Sequence, residues 1–410
     1  MPLDLDFVRH HFPAFTEPTL ALAGFFENAG GAYTCEPVIR RLETYYRRLK
    51  VQPYGAYPAS HEAGQWMDEA YQRLAPYLGV PAHWLHFGPS TSQNTYVLAQ
   101  AFRRLLAPGD EIIVTNQDHE ANSGVWRRLA ADGIGVREWA VNPQTGRLDP
   151  AGLDALLGPN TALVCFPHCS NIVADINPVA ELVAMAHARG ARCVVDAVSY
   201  AGHGFPDVAA LGADAYLFSL YKTFGPHQGL MVIRPELSEA LGNEGHFFNA
   251  DQPRKCLVPA GPDHAQVAAA AGIAEYFDAL DAHHHSGAPE GSRPARVRAL
   301  LHEAESALLT HLLDGLAQRP ALRVLGPTDA GRRAATVSVV PTGMRPQAIA
   351  EALGQRGLMV GAGHFYAVRL LQAMGVDPAH GVLRLSMVHY NSHEEVDRLL
   401  AGLDAVLNTA

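Results

Sequence analysis

One lysine in this sequence stands where an amine could do covalent chemistry. The chain has 31 basic residues, of which only Lys50, Lys222 and Lys255 are lysines. An ammonium can lose its proton and attack a carbonyl carbon, whereas a guanidinium stays protonated and cannot form a Schiff base at ordinary pH. Lys222 lies in SLYKTFGPHQG (219–229), just after the β-rich run DAYLFSL. We therefore predict a covalent role for Lys222 at the carboxyl end of a strand, where open α/β sheets bind ligands.

Two further segments are predicted to place polar groups at the same edge of the sheet as Lys222. Asp196 ends the run ARCVVD, so its carboxylate could pair with a protonated ring nitrogen of a cofactor. The segment FGPSTSQNTYVLAQAF (87–102) is typical of a turn that opens a helix, whose free N–H groups and dipole bind phosphate. Thr91 and Ser92 would add hydroxyl donors there. Each signal alone is also typical of an ordinary turn or cap, but the three together predict a cofactor site.

The elements that must position these residues follow an α/β pattern. From about residue 85 to 235, short β-rich runs alternate with amphipathic segments such as PVAELVAMAHARG (178–190). Runs of Val, Ile and Ala linked by helices indicate a mainly parallel sheet that is buried on both faces. The predicted strands are EIIVT (111–115), VREWAV (136–141), TALVCF (161–166), ARCVVDAV (191–198), DAYLFSL (214–220) and GLMVI (229–233).

The pattern changes after residue 265. QVAAAAGIAEYFDALDA predicts a long helix, and HHHSGAPEGSRP predicts an exposed loop in which His283, His284 and His285 are solvated. Beyond it, a helix at about 295–318 and a last helix opened by a Ser392-x-x-Glu395 capping box accompany the strands ATVSVV, LMV and VLRLSM. This mixture predicts a smaller C-terminal α+β domain.

These changes of pattern predict four parts of the chain. They are an N-terminal segment that packs on the small domain (1–24), a large cofactor-binding domain (25–265), a connecting helix with an exposed loop (266–294), and the small C-terminal domain (295–410).

Composition and charge exclude several classes of protein. The 410 residues are 48% hydrophobic and 18% charged, as in an ordinary globular protein of two or more domains. The net charge of -10, with no basic face, argues against nucleic acid and anionic membranes as partners. No apolar run is long enough for a signal peptide or a membrane span. Five cysteines without a framework pattern fit a reducing compartment, so we predict a cytoplasmic protein.

Several motifs in the right order resemble those of pyridoxal-phosphate enzymes of fold type I, specifically the class V aminotransferase and cysteine desulfurase group. They are FFENAGGAY (25–33), DHEANSGVW (118–126), CSNIVADINPV (169–179), VVDAVSYAGH (194–203), SLYKTFGPHQG (219–229) and LRLSMVHYNSHEEVDRLL (383–400). The resemblance runs through nearly the whole chain. It implies pyridoxal 5'-phosphate as cofactor, an amino acid as small-molecule substrate, and a homodimer with its active site at the subunit interface.

The resemblance also implies catalytic roles. Lys222 matches the lysine that forms the internal aldimine, and Asp196 matches the carboxylate that keeps the pyridine nitrogen protonated. His119 matches the histidine that stacks on the cofactor ring. With this set in place the ring becomes an electron sink, and the lysine released by substrate becomes a base near the α-proton.

Further matches concern binding. The residues that the resemblance assigns to the cofactor, besides the catalytic three, are Thr91, Ser92, Ser199, Ser219 and Tyr221. Among the substrate residues, Asn171 lies near the substrate and Arg384 receives its α-carboxylate in a bidentate grip. His364 and Tyr366 lie on a loop that borders the active site in this family, so we expect them to face the substrate.

The sequence departs from the desulfurases at three points. Their nucleophilic cysteine lies in a segment like RxGHHCA, whereas GAGHFYA (361–367) has Tyr366 at the cysteine's place and Gly361 at the arginine's. A phenol cannot carry a persulfide, and the GHFYA pattern resembles a subfamily described only as cysteine-desulfurase-like. Ser199 stands where a desulfurase has glutamine, and PAGPDHAQ (259–266) lacks the family threonine that reaches the partner subunit's phosphate.

We therefore predict a pyridoxal-phosphate-dependent enzyme that acts on an amino acid, with a desulfurase-like or C–S lyase-like β-elimination favoured. Transamination and epimerisation stay open as alternatives, as does a catalytically silent module that keeps the fold. Arg384 could instead form a structural salt bridge. Another cysteine, such as Cys35, could replace the missing nucleophile. Cys165 and Cys169 are interpreted as packed thiols, and no metal site is predicted.

Overall fold

The strands and helices are taken from a computed structural model that describes residues 2–259 and 261–408. Ala260, within the segment PAGPDHAQ, lies outside the described residues, as do Met1 and the last two residues of the predicted small domain. The strands are β1 (Gly24–Phe26), β2 (Leu85–Gly88), β3 (Glu111–Thr115), β4 (Gly135–Trp139), β5 (Thr161–Pro167), β6 (Arg192–Asp196), β7 (Ala215–Ser219), β8 (Gly229–Ile233), β9 (Leu322–Leu325), β10 (Thr336–Pro341), β11 (Leu358–Gly363) and β12 (Val382–Ser386).

The helices surround two sheets. They are α1 (Leu5–His10), α2 (Glu36–Arg48), α3 (Pro58–Tyr77), α4 (Thr91–Leu105), α5 (Gly124–Arg127), α6 (Pro150–Leu156), α7 (Val179–His187), α8 (Val208–Leu211), α9 (Pro235–Leu241), α10 (Pro253–Cys256), α11 (His264–Ala269), α12 (Ala271–His284), α13 (Arg293–Ala317), α14 (Pro346–Gly354), α15 (Val368–Ala373) and α16 (His393–Leu407). The capping box predicted from Ser392 and Glu395 is present at the start of α16.

The larger sheet has seven strands in the order β2-β8-β7-β6-β5-β3-β4. The five strands from β7 to β4 pair in parallel, and β8 runs antiparallel to both β7 and β2. Its central strands are mostly apolar because both of their faces are buried: Val164 and Phe166 of β5 pack into one core, and Leu163 and Cys165 into another. The prediction of a mainly parallel α/β sheet is therefore confirmed.

The smaller sheet has five strands in the order β1-β11-β12-β10-β9. All of its pairs are antiparallel except that of β1 with β11. It packs with α13, α14 and α16 around a separate apolar core, as the prediction of an α+β C-terminal region requires. Through β1, the segment that begins at Gly24 joins this sheet and brings Glu27 beside Ser386 at the end of β12.

Several boundaries differ from the predicted ones for physical reasons. The short strands β1, β2 and β9 were not predicted, because three or four residues give no measurable alternation. The predicted long helix is two helices, α11 and α12, that meet at Ala270. The strand predicted at 358–360 extends to Gly363 as β11.

The prediction that three consecutive histidines are solvated in an exposed loop is wrong for His284, which is buried, whereas His283 is exposed and His285 is half-buried. His283 and His284 form the end of α12. His284 is buried: its Nδ1 donates to the carbonyl of Leu280, and its Nε2 accepts the backbone N–H of Asp4 at 2.9 Å. His283 pairs with the Asp4 carboxylate at 2.9 Å. The N-terminal helix α1 therefore covers this end of α12.

Within the part of the chain that the structure describes, none of the helices has the length and apolarity needed to cross a membrane.

Candidate active site

The carboxyl ends of four neighbouring strands of the large sheet meet around one cavity of about 490 Å³. His119 follows β3, Asn171 follows β5, Asp196 ends β6, and Lys222 lies in a 3-10 turn just after β7. The N-terminus of α4 completes the wall with Thr91 and Ser92. All eight residues that the resemblance assigns to the cofactor line this cavity, as does Asn171. This is the ligand-binding edge expected for an open α/β sheet.

Lys222 carries its amine into this cavity under conditions that favour the neutral form. Burial is the largest cause that lowers its pKa, to about 8, and the positive charge of Arg384 lowers it further. The carboxylates of Asp196 and Glu27 oppose this change only in part. A buried amine with a pKa of about 8 is neutral in part at physiological pH, and this neutral fraction is the nucleophile that a covalent role requires.

Asp196 presents a buried carboxylate to the same cavity. The backbone N–H of Val198 donates to its Oδ1 at 2.9 Å. Burial raises the pKa of Asp196 to about 6, although the Val198 hydrogen bond and the charge of Lys222 act in the opposite direction. Because a buried carboxylate is costly without a charged partner, a protonated ring nitrogen would stabilise its ionised form.

His119 lies on the loop after β3 with a defined tautomer. Its Nδ1 accepts the backbone N–H of Ala121 at 3.1 Å, so the proton of the neutral ring belongs on Nε2. Burial, followed by the charges of Lys222 and Arg384, lowers the pKa of His119 to about 4. The ring is therefore neutral at physiological pH and presents an apolar face to the cavity, as stacking on an aromatic cofactor requires.

The start of α4 forms a cradle for an anion. Thr91 is buried and its hydroxyl shares a 2.8 Å hydrogen bond with Ser219, while Ser92 is exposed to the cavity. Tyr221 lines the cavity beside them. A Cβ at Gly229 of β8 would lie 2.6 Å from the backbone nitrogen of Thr91, so only glycine lets this strand approach the helix start. A fifteen-residue helix with free N–H groups and clustered hydroxyls suits a phosphate group.

The cavity as a whole fits pyridoxal 5'-phosphate. It contains an amine with a lowered pKa, a buried carboxylate that needs a cationic partner, a neutral imidazole face and a phosphate cradle. Ser199 also lines the cavity, at the place where a glutamine was expected from the desulfurases. The predicted cofactor residues are thus brought together by elements that lie far apart in sequence.

The predicted substrate residues are arranged differently. Asn171 lines the cavity, and its side-chain Nδ2 donates to the carbonyl of Phe365 at 2.8 Å. Arg384, on β12, is buried outside the cavity wall and already has a carboxylate partner, because it donates to Oε1 of Glu27 at 2.8 Å. It also donates to the backbone carbonyl of Asn171 at 3.3 Å, and the Phe365 ring lies 3.7 Å from its guanidinium. Burial is the main cause that lowers the pKa of Arg384.

The loop after β11 reaches the rim of the cavity. Tyr366 is 65% exposed, its ring centroid lies 5.1 Å from that of His119, and its carbonyl accepts the backbone N–H of Glu120 at 2.8 Å. His364 supports this loop by accepting the N–H of Tyr366 at its Nδ1. Phe365 and Tyr366 both have positive φ, at 46° and 57°, a strained pair of conformations that this closed loop maintains. Tyr366 therefore contacts the cavity wall through the His119 ring, and neither Tyr366 nor His364 is among the residues that line the cavity.

The cysteines are all buried free thiols. Cys169 lines the cavity, but its Sγ donates to the carbonyl of Ala174, and burial raises its pKa to about 12. Burial also raises the pKa of Cys35 to about 12. A thiol in this environment stays protonated and is a poor nucleophile, so the suggestion that Cys35 replaces the missing cysteine finds no support.

Glu27 is the site residue that sequence reasoning did not identify. It lies within the motif FFENAGGAY, yet its partner Arg384 is 357 residues away, so no local spacing signals the pair. Its carboxylate occupies the space above Gly361, where a Cβ would lie 2.1 Å from Oε2. The sequence offered two separate signals. Glu27 is an acid directly after a short strand, and Gly361 is a glycine at the position where a desulfurase has arginine.

Comparison with known proteins shows the family of the chain. A model of the aminotransferase class-V family matches residues 24–248 and 298–399. The chain belongs to the class V aminotransferase family. It is 34% identical to the aminotransferase-like protein FGM3 of Gibberella zeae, over 98% of both chains. It is 29% identical to a cysteine desulfurase of Serratia proteamaculans, over 99% of both.

A solved structure shows the same fold. The apo cysteine desulfurase of Thermococcus onnurineus superposes with a TM-score of 0.85 at 24% identity, over the whole of this chain and 99% of the other. The fold type I prediction is therefore confirmed. As a member of the class V aminotransferase family, the protein is a pyridoxal-phosphate-dependent enzyme.

Proposed function

We propose that this enzyme catalyses β-elimination from an α-amino acid, as a lyase that does not transfer the leaving group to a cysteine of its own. Pyridoxal 5'-phosphate, when bound, supplies an electron sink for the substrate α-carbon. In the overall elimination the Cα–H bond and the bond from Cβ to the leaving group both break. A Cα–Cβ double bond forms, and the leaving group departs with its electron pair.

The chain's own residues divide the work in this proposal. Lys222 takes the α-proton, since its lowered pKa leaves part of the amine neutral near pH 7 to 8. Asp196 supplies the negative charge opposite the ring nitrogen, and the helix start at Thr91 and Ser92 holds the phosphate. The carboxyl end of the substrate points towards Asn171 and Arg384.

Tyr366 is assigned the other proton transfer. It lies at the rim beside His119, at the place where a desulfurase has its nucleophilic cysteine. A phenol cannot accept sulfur, but its O–H can donate a proton to a departing sulfide or similar group. The single observation that carries the choice of a lyase over a desulfurase is the condition of the cysteines, each buried and each with a raised pKa.

The test is a screen of the common amino acids, cysteine sulfinate and selenocysteine with product analysis. Elimination would give ammonia and a 2-oxo acid in equal amounts, with the leaving group free in solution even when no thiol acceptor is added. A persulfide on the protein, detected by mass spectrometry during turnover, would overturn the lyase assignment. Absence of α-proton exchange in heavy water for every compound would indicate the catalytically silent module instead.

Transamination is the second candidate, because the relative that is 34% identical over 98% of both chains is described as aminotransferase-like. The same assay separates the two reactions. Transamination would give an oxo acid without free ammonia and would leave the amino group on the cofactor until a second oxo acid is added.

The proposal includes a homodimer that acts in the cytoplasm. Phe247 and Phe248 are 88% and 63% exposed, and Tyr54 and Tyr57 are also largely exposed, which supports a surface covered by a second subunit. The free thiols support a reducing compartment. Light scattering on the wild type and on the double variant Phe247→Ser/Phe248→Ser tests both parts: a wild-type monomer would contradict the dimer, and an equally dimeric double variant would contradict the assignment of this surface to the interface.

A further inference from the structure

A second cavity, of about 810 Å³, lies beside α13 and shares no described lining residue with the cofactor cavity. One wall is a face of α13 that carries Arg298 and His302. The facing wall is the segment after β6, with Tyr200 and His203, and residues 333–335 before β10 also line the space. We call this space the α13 cavity. It is separate from the candidate active site, so its residues need an explanation of their own.

The polar residues of α13 in this cavity are spaced so that one ligand can meet them together. Arg298, His302 and Ser306 are four residues apart, so they form one row along the helix, with about 5–6 Å between neighbouring Cβ atoms. Ala295 and Ala299 also line the cavity, and their small side chains leave the row open. His302 is exposed and Arg298 is half-buried, so both can be reached from solvent.

Arg298 brings a positive charge that no carboxylate balances. Its Nη1 donates to the backbone carbonyl of Phe205 at 2.9 Å, but among residues 2–259 and 261–408 no carboxylate oxygen lies within 4.0 Å of its guanidinium. Burial raises the pKa of Tyr200, and the charge of Arg298 opposes this rise. The guanidinium therefore acts on a residue of the facing wall, as a group directed towards the cavity would.

Arg333 adds a second positive charge at the wall of the α13 cavity. It is buried, and the partners of its guanidinium within the described part of the chain are backbone carbonyls, such as that of Thr336 at 2.6 Å. Burial lowers the pKa of Arg333 to about 10, because no paired carboxylate compensates the lost hydration of its charge. Asp175 opposes this change only in part, and its carboxylate pairs with Arg147 at 3.1 Å.

The acid that lines the α13 cavity is already engaged. Among the described lining residues that acid is Glu305, which is buried. Its Oε2 pairs with Nδ1 of His203 at 2.6 Å, and its Oε1 accepts the backbone N–H of His389 at 3.2 Å. The two guanidinium groups at the wall therefore have no carboxylate partner, in a chain whose net charge is -10. A cavity lined by one sign of charge favours a ligand of the opposite sign.

The rest of the lining is largely apolar and includes Ile176 and Leu309. An organic molecule would cover this apolar surface, whereas an inorganic ion would leave it in water. An arginine can bind a carboxylate or a phosphate group in bidentate geometry, and His302 can add a further donor. We propose that the α13 cavity is a second ligand site, which binds a small organic anion with its acidic group at Arg298 and its apolar part against Ile176 and Leu309.

Calorimetric titration of the holoenzyme with benzoate and with phenyl phosphate tests this site, and benzyl alcohol is the neutral analogue. We expect at least one of the two anions to bind one site per chain with a dissociation constant of about 1 mM or below, and the alcohol to bind about tenfold or more weakly. Tighter binding of phenyl phosphate indicates a phosphate ester as the ligand, and tighter binding of benzoate indicates a carboxylic acid. Equal binding of the alcohol, or no saturable binding of either anion, would overturn the inference.

Arg298→Gln supplies the decisive comparison. It removes the charge at a half-buried position, so the affinity for the anions should fall by about tenfold or more, while that for benzyl alcohol should change by less than about twofold. Arg296→Gln is the matched control. Arg296 is on the same helix, pairs with Asp281 at 2.6 Å and does not line the α13 cavity, so its loss should leave the affinity for the anions unchanged. An equal loss of affinity in both variants would reduce the effect to overall charge and reject the site.

Competition with L-alanine distinguishes the α13 cavity from the active site. L-alanine binds at the cofactor and changes its visible absorption, whereas an anion in the α13 cavity should bind equally well with L-alanine present and absent. Displacement of the anions by L-alanine would place them at the active site and would overturn the inference. The second site does not depend on the proposed reaction, because the calorimetric result stands whether the enzyme eliminates or transaminates.

Discussion

The two ends of the cavity are built in different ways. At the cofactor end, Lys222, Asp196 and Ser219 sit at or just beyond the ends of adjacent strands, and Thr91 begins a long helix. At the substrate end, Arg384 is paired with Glu27 across 357 positions, under a strained loop that contains Phe365 and Tyr366. The cofactor end keeps the lysine, the aspartate and the histidine of the family pattern, although Ser199 departs from the desulfurases there. At the other end, tyrosine and glycine replace the desulfurase cysteine and arginine at positions 366 and 361.

The largest effect should follow from Lys222→Ala at the cofactor end. Without the amine, the cofactor loses its covalent attachment and the substrate loses the proposed base, so α-proton exchange should fall by a factor of about 10³ or more. Exchange in heavy water, followed by NMR, measures this. Lys255→Ala, which changes an exposed lysine, is the matched control and should keep the wild-type rate. Comparable exchange in both variants would remove Lys222 from the mechanism.

Tyr366→Phe should separate the two proton transfers. If Tyr366 protonates the leaving group, its loss should slow product formation by about a hundredfold, within the usual range for a general acid. The exchange of the α-proton should persist, because Lys222 is untouched. Tyr96→Phe, at an exposed tyrosine that does not line the cavity, serves as control. Equal losses of exchange and of product formation in Tyr366→Phe would contradict this division of labour.

Asp196→Asn should stabilise the cofactor-free protein, although it weakens the holoenzyme. Burial raises the pKa of Asp196 from 3.8 to about 6, so its ionised form is disfavoured in the folded state. The resulting loss of unfolding free energy is absent below pH 3.8, grows up to about pH 6, and then stays constant at about 3 kcal/mol. Thermal melts should therefore show the apo variant exceeding the apo wild type by more at pH 7.5 than at pH 5. A difference that does not depend on pH would show that the pKa of Asp196 is not raised in the folded apo-protein.

The rate of cofactor attachment should depend on pH through Lys222. Its pKa is lowered to about 8, so the protonated form is disfavoured in the folded state and the neutral amine becomes available as pH rises through that value. Stopped-flow mixing of apo-protein with cofactor should give a rate that rises up to about tenfold per pH unit below pH 8 and levels off above it. Arg384→Gln removes a charge that lowers this pKa and should move the midpoint upward. A midpoint that stays in place would mean that the two ends are electrostatically independent.

The smallest effect concerns the exposed ion pair between Arg369 and Glu120, which joins the helix after the Tyr366 loop to the His119 loop at 3.2 Å. Its side chains are 39% and 50% exposed, so Arg369→Ala should change the free energy of unfolding by about 0.5 kcal/mol or less. Urea denaturation measures this directly. A loss several times larger would mean that the loop depends on this pair rather than on the backbone bond from Glu120 to Tyr366.

The difference between the two ends of the cavity also explains which features could be predicted from the sequence. The strands at 111–115 and 229–233 agree with β3 and β8 because strands that are buried on both faces give continuous apolar runs with clear ends. Lys222 and Asp196 could be placed together because each follows such a run, and strand ends share one edge of the sheet. The other cofactor residues were assigned from the helix start or from the resemblance to the family. Their roles remain predictions until the variants are made.

The rest depends on contacts between distant segments, which a single sequence does not reveal. His284 is buried because α1 covers it. Arg384 is paired with a carboxylate because β1 brings Glu27 beside β12. The positive φ of Phe365 and Tyr366 also gave no signal, since neither residue type favours that conformation. Such features arise from tertiary packing, which overrides local preference.

Covalent trapping tests the central claim most directly. Borohydride reduction of the holoenzyme fixes any bond between the cofactor aldehyde and a lysine, and digestion followed by mass spectrometry then locates it. We predict a single modified peptide that contains SLYKTFGPHQG with the added mass on Lys222. A holoenzyme whose modification falls on Lys50 or Lys255, or that carries none after reduction, would contradict the account.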